Sequence, residues 1–368
     1  MHNSFAASTA FHEDWPVAMD QALAALAMPA GANLGFIYFT DYYSVDIVEV
    51  LDRLTTLTGI RNWVGTSSLG VIGQAVAAQN QPGLSLLVAG LPEGSFQVFS
   101  GRDRLPNTLG TDAASDQPYF AVVHGDPATP DMGDLIADMA TKVSSGFITG
   151  GLAIARGDAP MIANGVLHGG ISGVAFNEQI VITTRLTQGC CAVGPMHVVT
   201  ACDQNVITEI DGRPALDAFL EAAGTSLGQD LRRAARYILP GLGIPGRDDA
   251  DFRVRNVIGL DPTNGLFAIN DNIAVGQRLR FFRRDADCAR ADMMRMLTEL
   301  RDSLDQAPRA ALYISCAARG ANMFGDDNTE PGMIAEVFPG LPTAGFFAGG
   351  EISHDQLYGY TGVLTLFL

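Results

Sequence analysis

The segment Ser315-Cys316-Ala317-Ala318-Arg319-Gly320 places a thiol and a guanidinium directly after an apolar run, Ala311 to Ser315, that reads as a buried strand. Open α/β sheets hold ligands just beyond such strand ends, and an arginine there can clamp a carboxylate through two parallel N–H bonds. Further on, Glu351 stands in the turn Ala348-Gly349-Gly350-Glu351-Ile352-Ser353, an otherwise apolar setting suited to receiving an ammonium group. Arg319 and Glu351 together would make a zwitterion trap; the alternative is that they pair with each other or with neighbouring charges. A second small-residue turn, Gly65-Thr66-Ser67-Ser68-Leu69-Gly70, follows another short strand. Its backbone N–H groups, with the hydroxyls of Ser67 and Ser68, could cradle a carboxylate or phosphate. The competing account is that these glycines only permit tight packing or positive φ.

Gly189-Cys190-Cys191 offers a nucleophile, Cys190, if His124, His168, His197 or His354 approaches it as a base. Packing is the other explanation, because cysteine is among the most buried residue types. The five cysteines form no C-x-x-C pair, and their odd number argues against a closed disulfide framework, so the thiols are expected to be reduced. The six histidines are scattered without metal-ligand spacing, so no metal is expected. Lys142 is the single lysine and lacks the upstream glycines of a P-loop. No G-x-S-x-G elbow, no G-x-G-x-x-G after a strand and no EF-hand loop is present, and no cofactor is expected.

The 368 residues carry 23 basic and 40 acidic side chains, a net charge of −17, which opposes binding to nucleic acid or to an anionic membrane. No uncharged apolar run reaches the ~20 residues a membrane span requires. The amino terminus has no basic region followed by an apolar one, so a cytoplasmic location is expected.

The elements that must position these groups alternate in type. Helices are predicted over 15–28, 45–57 and 134–142, with strands over 34–39, 63–65, 84–88, 96–99 and 120–123. From 147 to 200 helical periodicity vanishes and glycines punctuate short strands, a meander. Helices at 214, 231–238, 286–304 and 333–338 then alternate with strands at 252–258, 265–269, 278–283, 311–315, 345–347 and 362–368. The fold class is α/β with α+β character in the middle. Two β-α-β units, 34–65 and 311–347, each end on a small-residue turn, either from duplication or because any two α/β units share that order. The expected division is an amino-terminal extension and helix over 1–32 and domains over 33–213 and 214–368.

At these same residues the chain resembles the FIST family, a two-part sensory domain of intracellular signal-transduction proteins. The segments that carry the resemblance are Val64-Gly65-Thr66-Ser67-Ser68-Leu69-Gly70-Val71-Ile72, Gly189-Cys190-Cys191-Ala192-Val193-Gly194-Pro195, Ile207 to Leu216, Ser315 to Gly320, Gly345 to Ser353 and Tyr360 to Leu364. The family's first turn typically reads Gly, Cys, Ser, Ser, any, Gly, Glu; here Thr66 replaces the cysteine and Val71 the acid, while Glu351 keeps the acid of the second turn. The resemblance implies sensing of a small ligand, with amino acids as the suggested class, and no catalytic residue. The expected ligand-binding set is Gly65, Thr66, Ser67, Ser68, Cys316, Arg319, Gly350 and Glu351. Many relatives carry a fused signalling module; none is expected after Leu368, and the output is expected to pass to a separate partner protein. The alternative is a thiol-dependent hydrolase or acyltransferase using Cys190 or Cys316.

Overall fold

The computed structural model describes residues 4–101, 118–244, 246 and 251–368. The chain divides into two compact units, one comprising Met1–Gln188 with Asp292–Leu368, the other Gly189–Ala291. The α/β class expected from the sequence is the observed one.

The larger unit is built from one pattern used three times. Each repeat runs leading strand, inner strand, helix, switch strand, hairpin, return strand. In the first, these are Ser4–Phe11, Leu34–Thr40, Ile47–Thr58, Asn62–Ser68, Gly70–Gly73 with Val76–Gln79, and Gly83–Gly90. In the second they are Phe96–Phe99, Phe120–Gly125, Met132–Ala140, Phe147–Leu152, Met161–Ala163 with Val166–Leu167, and Ile171–Phe176. In the third they are Ile182–Gln188, Ala310–Cys316, Thr329–Val337, Thr343–Ala348, Glu351–Ser353 with Gln356–Tyr358, and Thr361–Phe367. The two β-α-β units read in the sequence are thus joined by a third. It lies partly within the stretch read as a meander.

Each repeat forms a six-stranded sheet in the order leading, return, inner, switch, hairpin, and the hairpin always comes from another repeat. The first sheet receives the second repeat's hairpin, the second sheet the third's, and the third sheet the first's. The exchange is cyclic.

Inner and switch strands run parallel, which requires the helical crossover between them. In the first crossover, Ile47, Val50, Leu51 and Leu54 form the buried stripe, and Gly59 ends the helix in the left-handed conformation at φ 73°. One position recurs in all three switch strands. Gly65, Gly150 and Gly345 stand in register with Ile37, Val123 and Tyr313, and a Cβ at each would lie 1.7, 1.8 and 1.7 Å from the partner's carbonyl oxygen. Only glycine permits that approach. Opposite these glycines the hairpins supply Ile162, Ile352 and Ile72.

The three sheets share an inner core that includes Phe36, Tyr38, Val122, Phe176, Leu312 and Phe346. Within it Tyr38 stacks on Phe346, centroids 4.8 Å apart, and His124 meets Tyr38 edge-on at 5.6 Å. The outer faces are covered by helices: Trp15–Ala25 and Ile47–Thr58 on the first sheet, Met132–Ala140 on the second, and Thr329–Val337 with the later turns of Ala286–Asp302 on the third.

The smaller unit is an antiparallel sheet centred on the long strand Cys190–Asp203, which pairs with Arg278–Arg284 on one side and Val206–Ile210 on the other. Helices Ala215–Gly228 and Leu231–Tyr237 pack on it around Phe219, Phe267 and Phe281. Here the expectation about cysteines is corrected: Cys191 and Cys288 form a disulfide, their Cα atoms 6.0 Å apart, and Cys190, Cys202 and Cys316 are not part of it. Strand pairing sets Cys191 opposite Arg283, and the helix carrying Cys288 begins three residues later, at Ala286. A sequence separation of 97 conceals that proximity. Among the described residues no helix is long and apolar enough to cross a membrane.

Candidate functional site

The switch turns of the repeats converge, joined by a ring of contacts. The N–H of Ile154 points to Ser67 O at 3.5 Å, and the N–H of Gly349 to Leu152 O at 3.0 Å. The third contact comes from a side chain: Ser68 Oγ lies 2.6 Å from Phe347 O and 2.7 Å from Gly70 O, and accepts the Gly70 N–H at 3.1 Å. The corners at 65–70 and 348–353, remote in sequence, therefore meet.

Glu351 begins its strand fully buried, because that strand is inserted beside the second repeat's switch strand, with Glu351 opposite Gly151. Its Oε2 accepts the Thr361 hydroxyl at 2.7 Å and the Thr361 N–H at 3.1 Å. Its Oε1 is buried and has no hydrogen-bond partner among the described residues. Burial pushes this carboxyl up to about 8, against the Thr361 bonds, which pull it down. The Cys316 thiol faces the same carboxyl, and burial with the nearby Glu351 charge pushes it far above its ordinary value. Such a thiol stays protonated near neutrality, which opposes a nucleophilic role.

Arg319 is fully buried and already engaged. Its Nε donates to Glu330 Oε1 at 2.8 Å, its Nη2 lies 2.6 Å from the same oxygen, and its Nη1 donates to Tyr360 O at 3.2 Å. Tyr313 Oη donates to Glu330 Oε1 at 2.6 Å and Ser315 Oγ to Glu330 Oε2 at 2.7 Å. Burial disfavours the guanidinium's charge, but the Glu330 carboxylate more than offsets it and holds the proton firmly. Glu330 was not anticipated from sequence. An acid in the first turn of a helix, here Thr329–Val337, reads as a dipole partner rather than as a buried counter-ion.

The first turn is close-packed. Gly65, Thr66, Ser67 and Ser68 are all buried, and the Ser67 N–H donates to Pro160 O at 2.9 Å. Ser67 Oγ is buried with no partner among the described residues. Gly350 is buried too, its carbonyl accepting the Leu152 N–H at 2.8 Å. The structure thus gathers Cys316 and Thr361 around Glu351, with Gly350 next to it in the chain, sets Arg319 beside them through Tyr360, and brings the first turn against the second. Cys190 lies in the smaller unit, on the strand Cys190–Asp203 opposite Arg284. Also in that unit, His197 Nδ1 is 2.7 Å from Asp211 Oδ2.

A three-repeat α/β unit with a buried acid and an arginine at its converging turns is the architecture these residues define. The chain belongs to the FIST family: residues 33–213 match the FIST N domain and residues 215–354 the FIST C domain. The two matches meet near residue 214, whereas the compact units divide the chain at Gly189 and Asp292. The chain is 28% identical over 323 residues to an uncharacterized protein of Mycobacterium tuberculosis strain H37Rv, covering 83% of each chain. It is 32% identical over 240 residues to an uncharacterized protein of Mycobacterium bovis, covering 62% of this chain and 61% of the relative. FIST domains are associated with sensory signal transduction.

Proposed function

We propose that this chain is a cytoplasmic sensory domain that takes up a small amine-bearing metabolite, an amino acid by preference, at Glu351, and signals to a separate partner protein. The observation that carries the reading is the free Oε1 of a fully buried carboxyl whose other oxygen is fixed by Thr361. A buried polar atom left unpaired is costly, and an ammonium donor would satisfy it. Arg319, fixed by Glu330, supplies nearby positive charge, and Ser67 Oγ on the adjoining turn is the group suited to the ligand's carboxylate. Because Glu351 is held protonated near neutrality, an ammonium ligand would ionise it, and binding would release a proton. Entry requires the buried turn to open, which couples occupancy to a change of conformation.

Calorimetry of amino acids and simple amines, repeated in buffers of different ionisation enthalpy, tests this. Expected are binding with proton release and a loss of at least ~10-fold in affinity for Glu351→Gln. Affinity unchanged in that variant, or no binding by any amine, would discard the reading.

A further inference from the structure

We infer that Cys191 and Cys288 are a reversible dithiol–disulfide couple that exchanges with low-molecular-weight disulfides and staples the neck of the smaller unit. The chain enters that unit at Gly189 and leaves it at Ala291, so the bond ties together two places near the entry and the exit. On the larger unit's side, the same two crossings are tied without a covalent bond: Asp292 Oδ2 accepts the Thr187 hydroxyl at 2.8 Å and the Gln188 N–H at 2.7 Å.

Three features favour exchange over an inert bridge. Both cysteines are half-buried rather than enclosed, so a small thiol or disulfide reaches them. Cys288 sits in the first turn of the helix Ala286–Asp302, where the helix dipole favours a thiolate, and its N–H is held by Asp285 Oδ1 at 3.1 Å. Arg283, the register partner of Cys191, adds positive charge, its Nη2 3.3 Å from Asp285 Oδ2. Neither of two other cysteines competes: Cys316 is buried, and the Cys202 thiol donates to Ile273 O at 3.5 Å.

The exchange balances with one small disulfide. The Cys288 thiolate attacks a sulfur of that disulfide, forming a mixed disulfide and expelling one small thiolate. The Cys191 thiolate then attacks Cys288 Sγ, closes the staple and expels the second. Two electrons pass from the protein to the small disulfide, and the two cysteine protons end on the released thiols.

The two disulfide sulfurs and an Asp285 carboxylate oxygen lie within 4.8 Å of one another, a group that a soft divalent cation could use once the bond is reduced. Asp285 is already engaged by Arg283 and by the N–H groups of Asp287 and Cys288, which disfavours that occupant.

The test is equilibration of the full chain in graded mixtures of reduced and oxidised glutathione, followed by maleimide mass-tagging. Two of the five cysteines are expected to become protected together over a single transition, mapped by peptide mass to Cys191 and Cys288. Cys190→Ser should not change this, and Cys191→Ser should leave Cys288 carrying one glutathione. The oxidised chain should melt ~10 °C or more above the reduced one. Five thiols tagged at every ratio, a bond that excess reduced glutathione never opens in the native chain, or stoichiometric zinc uptake that blocks oxidation would each overturn the inference. The wild-type readout stands even if a variant fails to fold.

Discussion

Ser68 Oγ lies 2.6 Å from the carbonyl oxygen of Phe347, linking the switch turns of the first and third repeats across 279 positions of sequence. The corresponding contacts at Ser67 and Leu152 are made by backbone N–H groups, so here a hydroxyl closes the ring. Ser68→Ala should cost about 1–2 kcal/mol, the effect of leaving a buried carbonyl without its donor. Urea unfolding followed by tryptophan fluorescence measures it, and an unchanged midpoint would show that the ring does not depend on this hydroxyl.

Arg319 and Glu330 are both buried, and removing one leaves the other uncompensated. Glu330→Ala should destabilise the larger unit by about 3–5 kcal/mol. Replacing both residues with apolar ones of similar volume should cost clearly less. If the double variant is as unstable as the single one, the packing of this corner matters more than its charge balance.

Two buried groups give opposing pH dependences. Glu351, pushed up to about 8, keeps its proton in the folded chain while the unfolded chain loses it near 4.5, so its contribution is present at low pH and is lost as pH rises through 8. His124, buried and pushed down to about 3, resists a proton that the unfolded chain takes near 6.5, so stability falls as pH drops below 6.5. Between 4.5 and 6.5 the two oppose each other. Above 6.5 Glu351 alone should slope the curve downward by about 1.4 kcal/mol per pH unit until it ionises. Glu351→Gln should flatten that limb; a persisting slope would assign it to another group.

The recurring glycine makes a prediction in triplicate. Gly65→Ala, Gly150→Ala and Gly345→Ala should each cost about 3 kcal/mol or prevent folding, because the added carbon meets a backbone oxygen that cannot yield. Gly133→Ala, in the helix Met132–Ala140 with nothing within 4 Å, should be neutral or slightly stabilising. Thermal melts of the four variants separate the two cases.

Much of this architecture was legible in the chain. The apolar runs at 34–39, 84–88 and 311–315 and the stripe at 45–57 become strands and a helix close to where their periodicity puts them. The amino-terminal strand Ser4–Phe11 was not, because alanine, serine and threonine alternate there with few large apolar residues. Likewise the helix read over 231–238 and the Pro/Gly-rich stretch from Pro240 onward, which reads as a loop, hide the strand Ile238–Gly243, paired with Arg278–Arg284, where Gly241 leaves room for the Phe282 ring. The threefold pattern is hidden for a different reason. It is carried by backbone register and by one glycine per repeat, and in the third repeat the smaller unit separates the leading strand from the rest. At the site, Cys316, Arg319 and Glu351 were visible as reactive types in apolar surroundings. Glu330 was not, because its burial depends on a helix packing that no local spacing encodes.

The cyclic loan of hairpins also bears on how the chain reaches its native form. Thr343–Ala348 needs Gly70–Gly73, Phe147–Leu152 needs Glu351–Ser353, and Asn62–Ser68 needs Met161–Ala163. During synthesis the earliest hairpin therefore waits, its outer backbone groups unmatched, until nearly the whole polypeptide has emerged. Excising or circularly transplanting any single repeat should yield an aggregating fragment rather than a miniature of the whole.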